Sequence, residues 1–129
     1  MLKNINKTYE YRYIRHDARV YYIGRNVHGP FQNRMFYTEP FTSREQNVTR
    51  NAIIGFLSPE LVVQRVDQIM SQSECDVNLV DVPIGDLKQM AHVLKMPLVV
   101  ELYKSVCPMG EVVNIYYYLP DTQNNKLKM

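Results

Sequence analysis

The chain of 129 residues has the length of one ordinary domain, and its 46% hydrophobic and 22% charged residues are globular values that exclude wholesale disorder. No apolar run approaches the roughly 20 residues of a membrane span, and no charged flank with an apolar stretch opens the chain, so a soluble, non-secreted protein without a membrane partner is expected. The net charge of +2 conceals an asymmetry, since residues 1–50 hold nine Lys/Arg against four acids and residues 51–129 hold six against nine.

The first part reads as strands without helical periodicity. Tyr9, Tyr11 and Tyr13 alternate with Glu10 and Arg12, the period of a strand with one aromatic face. Residues 19–23, "RVYYI", are expected to pair back on that strand across the polar link Arg15-His16-Asp17-Ala18. Gly29-Pro30 marks a turn, after which "RMFYTEP" predicts a short third strand ending at Pro40. Thr42 to Asn51 is polar and reads as an exposed connector. An alternative makes residues 1–41 an extended arm that becomes ordered on a partner.

The second part has clearer punctuation. Ser58-Pro59-Glu60 predicts a helix start, with Ser as cap, Pro at the first helical position and Glu at the positive end of the dipole. Val62, Val66, Ile69 and Met70 form its expected apolar face, and the helix is expected to end near Ser71. Asp76 to Val82 reads as a strand stopped by Pro83. A second helix is predicted from Asp86, with Gln89 three residues on as in a capping box, a buried stripe of Leu87, Met90, Ala91 and Leu94, and Pro97 closing it. "LVVELYKSV" and "EVVNIYYYL" then predict a hairpin over the turn Cys107-Pro108-Met109-Gly110. Alternation assigns Val113, Ile115, Tyr117 and Leu119 to the core face of its last strand, and Tyr116 and Tyr118 to a half-polar face.

This order predicts an α+β fold with a mixed or antiparallel sheet, two helices packed on one face and a C-terminal β-hairpin. The organisation expected is a basic Arg/Tyr-rich β segment or arm over 1–52 and an α+β core over 53–129, within one domain overall.

Few residues point to chemistry. His16, His28 and His92 fall on a link, a turn and a helix, and no Cys/His spacing matches a metal site. Cys75 and Cys107 fit reduced thiols, a disulfide between them being the less favoured alternative. Asp76, Asp81 and Asp86 each have a local explanation at a strand or helix end, and the five glycines form no phosphate cradle. No catalytic residue, metal or cofactor is expected. Arg and Tyr are the side chains that give large contact energy through planar hydrogen bonding and stacking. The candidate partner-binding residues are therefore Tyr9, Tyr11, Arg12, Tyr13, Tyr21, Arg25, Arg34 and Phe36, with Tyr116 and Tyr118 from the hairpin. Such a set suits protein partners, or nucleic acid as the alternative, where Arg would meet phosphate and Tyr would stack on bases.

The stretches "IIGFLSPELVVQRVDQI", "VNLVDVPIGDLKQMAHVLKMPLVVELYKSVC" and "NIYYYLPD" resemble in pattern small uncharacterised α+β proteins of large double-stranded DNA viruses, over residues 53–121. The likeness lies in an apolar-Gly-Phe helix start, a short strand, a helix ending in Met-Pro-Leu-Val-Val and a final aromatic strand. It implies a virus-encoded structural protein, a minor capsid or cement component contacting larger coat proteins, found in the virion or the host cytoplasm. It transfers no catalytic or binding residue.

Overall fold

The computed structural model describes residues 7–27, 33–70 and 76–120, with backbone alone at 25–27, 33–35 and 76–77. Among the described residues the elements are β1 (Lys7–Tyr11), β2 (Arg19–Val27), β3 (Asn33–Phe36), β4 (Thr38–Thr42), β5 (Thr49–Phe56), α1 (Pro59–Met70), β6 (Asp76–Pro83), α2 (Ile84–Leu94), β7 (Leu98–Cys107) and β8 (Gly110–Tyr118). The fold is α+β, and all eight strands belong to one mixed sheet.

The core of the sheet is β8-β7-β5-β2, with β1 added parallel to β8 at one margin and β6 antiparallel to β2 at the other. β2 and β5 pair only at Tyr21 with Phe56 and Tyr22 with Gly55. Beyond that point they diverge, and the chain from 33 to 42 lines both sides of the gap. β3 runs antiparallel along β2, the Tyr37 amide donates to the Ile23 carbonyl at 2.8 Å, and β4 then runs back along β5. The hairpin of β7 and β8 closes at Cys107 opposite Gly110 as expected, where Gly110 adopts φ 144, a conformation side chains disfavour. A bulge at Leu102 inserts one residue and reverses which face β7 presents beyond it.

Both helices pack on the sheet, but on opposite faces and not on one. α1 contributes Leu61, Val62 and Ile69 to a core with Ile23, Ile54, Phe56, Val99, Val113 and Ile115. α2 contributes Ile84, Leu87 and Ala91 to a core with Val20, Ile53, Leu98, Val100 and Leu102. Neighbours such as Ile53 and Ile54, or Val99 and Val100, divide between the two cores because side chains alternate across a strand. An unbroken apolar run is the pattern of a strand covered on both faces. Gly55 sits under α2: a Cβ there would lie 3.2 Å from Leu87 Cδ1, so its absence is what admits the leucine.

Several local expectations change. β5 takes Thr49–Phe56, so the stretch expected as the last of an exposed connector and the lead-in to a helix is a central strand, and a boundary between 52 and 53 would cut it. β1 pairs with β8 instead of with β2. The third expected strand is two, and the second passes through Pro40 to Thr42. α1 buries Leu61, Val62, Arg65 and Ile69, leaving Met70 60% exposed about 100° away around the helix. α2 starts two residues before Asp86, with Pro83 in the cap position and no side-chain cap. The Ala18 carbonyl satisfies the Ile84 amide at 2.9 Å, and burial of Ile84 draws in the first turn. Leu94 is 43% exposed beside Lys95, whose φ of 55 ends the helix.

Candidate functional site

β1 is the exposed margin of the sheet. Lys7 to Glu10 are exposed and Tyr11 is half-buried, with β8 the only partner strand among the described residues. The Arg12 amide donates to the Ile115 carbonyl at 2.8 Å. Because successive residues of a strand direct their backbone groups to opposite sides, the amides and carbonyls of Tyr9 and Tyr11 face away from β8. A run of unpaired backbone groups of this kind is a template for a further strand.

The side chains on this margin sort by face. Glu10 and Arg12 lie on the α2 face, half-exposed and ion-paired at 3.0 Å, and Arg12 Nε also donates to Oδ1 of buried Asn114 at 2.9 Å. Tyr9 and Tyr11 lie on the α1 face. Tyr11 meets the Tyr117 ring edge-on at 5.1 Å and lies beneath the Arg44 guanidinium at 3.9 Å, while Tyr117 also packs against Phe41. Tyr117 is thus half-buried rather than fully in the core, and its hydroxyl donates to Glu45. Tyr9 is 42% exposed and Tyr13 99% exposed.

Further along the α1 face lies an ionic group. Arg65, only 8% exposed on α1, donates one guanidinium nitrogen to Glu39 of β4 and another to Glu101 of β7, and the Tyr37 hydroxyl donates to Glu39. Burial works against the Arg65 charge, but the carboxylates of Glu101 and Glu39 outweigh it and raise the pKa, so Arg65 stays charged. Glu101 is 6% exposed, and its Oε1 has no hydrogen-bond partner among the described residues. Burial and then the Glu101 charge raise the Tyr9 phenol, which keeps its proton. The cluster joins α1 to two strands through charge.

The sequence-derived candidates divide. Tyr9, Arg12 and Tyr13 come together on the open margin, with Tyr11 as their inner anchor. Tyr21 packs into the α1 core, and Phe36, Tyr116 and Tyr118 pack against the α2 core, the two hairpin tyrosines beneath Lys88 Nζ at 5.3 and 5.9 Å. The side chains of Arg25 and Arg34 lie outside the described residues, as do His28 and Cys75. His16, His92 and exposed Cys107 sit on three separate elements, and no group of three or more metal-ligating side chains occurs among the described residues. Sequence reasoning missed the ionic group. Its signals were an arginine one turn from Leu61 and Ile69 on the apolar stripe, and a glutamate inside the apolar run of β7. Comparison with known proteins finds no match for the chain among family models, curated proteins or solved structures.

Proposed function

We propose that the chain is a non-enzymatic interaction protein that meets its partner through the β1 margin, with virion assembly as its setting. In that setting it is a minor capsid or cement component contacting larger coat proteins, in the virion or the host cytoplasm. The observation that carries the interaction reading is β1 itself, an edge strand with outward-facing backbone groups, flanked by exposed Tyr9 and Tyr13. Strand addition to such an edge draws affinity from main-chain hydrogen bonds and specificity from alternate side chains. The virion setting is supported by the resemblance over residues 53–121. Nucleic acid is the weaker reading, because among the described residues of the basic first part Arg12 is ion-paired with Glu10, Arg15 with Asp17 and Arg19 with Asp81.

Tyr11 and Arg12 have close partners within the fold, so the cleaner test removes Tyr13, which is 99% exposed, and Tyr9, whose ring meets only Lys7 Nζ at 6.0 Å among the described ring contacts. The Tyr9→Ser/Tyr13→Ser variant is expected to enter purified particles at about a tenth of the wild-type level or less, the effect of losing an aromatic anchor. Equal incorporation of the variant overturns the contact surface. Wild-type chain absent from particles overturns the virion setting.

A further inference from the structure

Residues 9–13 read Tyr-Glu-Tyr-Arg-Tyr, a pattern that complements itself when two copies run antiparallel. We propose that the occupant of the β1 margin is a second copy of the chain, added antiparallel in the register that sets Tyr11 against Tyr11, Tyr9 against Tyr13 and Glu10 against Arg12. This inference rests on the reading of that margin as a contact surface and names its partner.

Three observations converge on this register. First, the backbone groups of Tyr9 and Tyr11 already face outward, and the Arg12 amide still bonds β8, so a partner strand that extends β1 by two residues would bring Tyr13 into the same alternation. With Tyr11 on the two-fold axis, these are the positions that exchange hydrogen bonds in an antiparallel pair. Second, Glu10 and Arg12 lie on one face and are about half-exposed. Opposite their counterparts they form a ring of four charges alternating in sign, whereas a shift that sets Tyr9 against Tyr11 brings Glu10 against Glu10. Third, the remaining face joins the tyrosines of the two copies into one ladder, giving covered neighbours to Tyr9 and to the otherwise uncontacted Tyr13. Cross-strand aromatic and opposite-charge pairs are the stabilising units of such a junction.

The opposite margin does not share these properties. β6 contains no cation and ends in Pro83, and its Asp81 is already ion-paired with Arg19 of neighbouring β2 at 3.1 Å, so the strand offers a second copy no complementary row of charges. A short strand junction is small against the roughly 1,200–2,000 Å² of a stable interface, so the dimer is expected to be concentration-dependent and favoured where copies are held close together.

The test is sedimentation equilibrium of the intact chain from about 10 µM to about 1 mM, a range that reports weak association. Wild type is expected to rise from monomer toward twice the monomer mass. Glu10→Arg alone and Arg12→Glu alone each place like charges across the junction and are expected to shift dimerisation to at least about tenfold higher concentration. In an equimolar mixture of the two variants a strand with two positive charges meets one with two negative charges, so opposite charges again face each other across both pairs and dimerisation is expected to return. Arg12→Glu also removes the donor to Asn114, but Glu10 contacts nothing buried, and its variant carries the test if the other does not fold. Wild type monomeric throughout, association indifferent to Glu10→Arg, or folded variants whose mixture fails to restore pairing would each overturn the proposal. A monomeric wild type whose Tyr9→Ser/Tyr13→Ser variant still fails to enter particles overturns self-pairing alone. A dimer broken by the charge variants beside normal particle entry of the serine variant keeps self-pairing and removes the coat contact.

Discussion

The two faces of the sheet are made by the same strands and solved by different physics. Under α2 the contact is dry: Ile84, Leu87 and Ala91 meet Val20, Ile53, Leu98 and Val100, all fully buried. Under α1 an apolar patch of comparable kind adjoins Arg65, Glu39 and Glu101, three charges with one carboxylate oxygen that has no hydrogen-bond partner among the described residues. Within β7 the divide falls between adjacent residues, Val100 to the dry face and Glu101 to the charged one. The apolar contact under α2 gains chiefly from volume and tolerates shape changes in proportion to the cavity they leave. The charged face depends on every member, because desolvated charges are costly once a partner is lost. One sheet therefore has a face that weakens gradually and a face that fails by single steps.

The largest separation of the two is expected from Arg65→Met, which strands two carboxylates, one of them deeply buried, and should cost about 3–5 kcal/mol in urea unfolding. Adding Glu101→Leu to that variant removes the buried charge and should recover most of the loss; a variant that loses nothing at Arg65 would erase the contrast. Next is Leu87→Ala on the dry face, expected to cost about 2–4 kcal/mol by the same measurement. Because the two sites lie on opposite faces and share no partner, their losses should add to within about 0.5 kcal/mol.

The smallest effect is a pH dependence confined to the charged face. Burial, then the hydrogen bond to Glu39, pushes the Tyr37 phenol up to about 12, from an ordinary value of 10.0. Burial and the bond to Glu45 do the same for Tyr117, also to about 12. The folded chain holds these protons more tightly than the unfolded one, so their stabilisation is complete below pH 10 and is lost as pH rises through 12. Urea midpoints taken across that interval should fall less in Tyr37→Phe than in wild type; parallel curves would remove Tyr37 from the network.

What the sequence revealed was punctuation. Ser58-Pro59 located α1, Pro83 marked the end of β6 and Pro97 the end of α2, and Pro108 with Gly110 located the hairpin, because each constrains its own backbone. What it concealed depended on partners distant along the chain. Ile53 to Phe56 reads equally as a helix lead-in or a strand until β7 is known to lie beside it. β1 shows the period of a strand, but nothing in Tyr9 to Tyr13 specifies β8 as its neighbour. The apolar continuity of β5 and β7 was the available sign that the sheet is covered on both faces. Of the candidate surface, the exposed tyrosines were legible because alternation with charge marks an edge. Tyr21, Phe36, Tyr116 and Tyr118 were assigned to it on residue type, and all four are partly buried against the two cores.

The parallel pairing of β1 with β8 also has a history in time. Arg12 and its bonding partner Asn114 are separated by 102 residues. At a synthesis rate of about 5–20 residues per second, β1 waits about 5–20 s on the ribosome before the strand that holds it exists. Throughout that interval both of its edges are unpaired, so the order of assembly for this margin is set by translation: neighbouring nascent chains on one message offer β1 a like strand before its own β8 has been made.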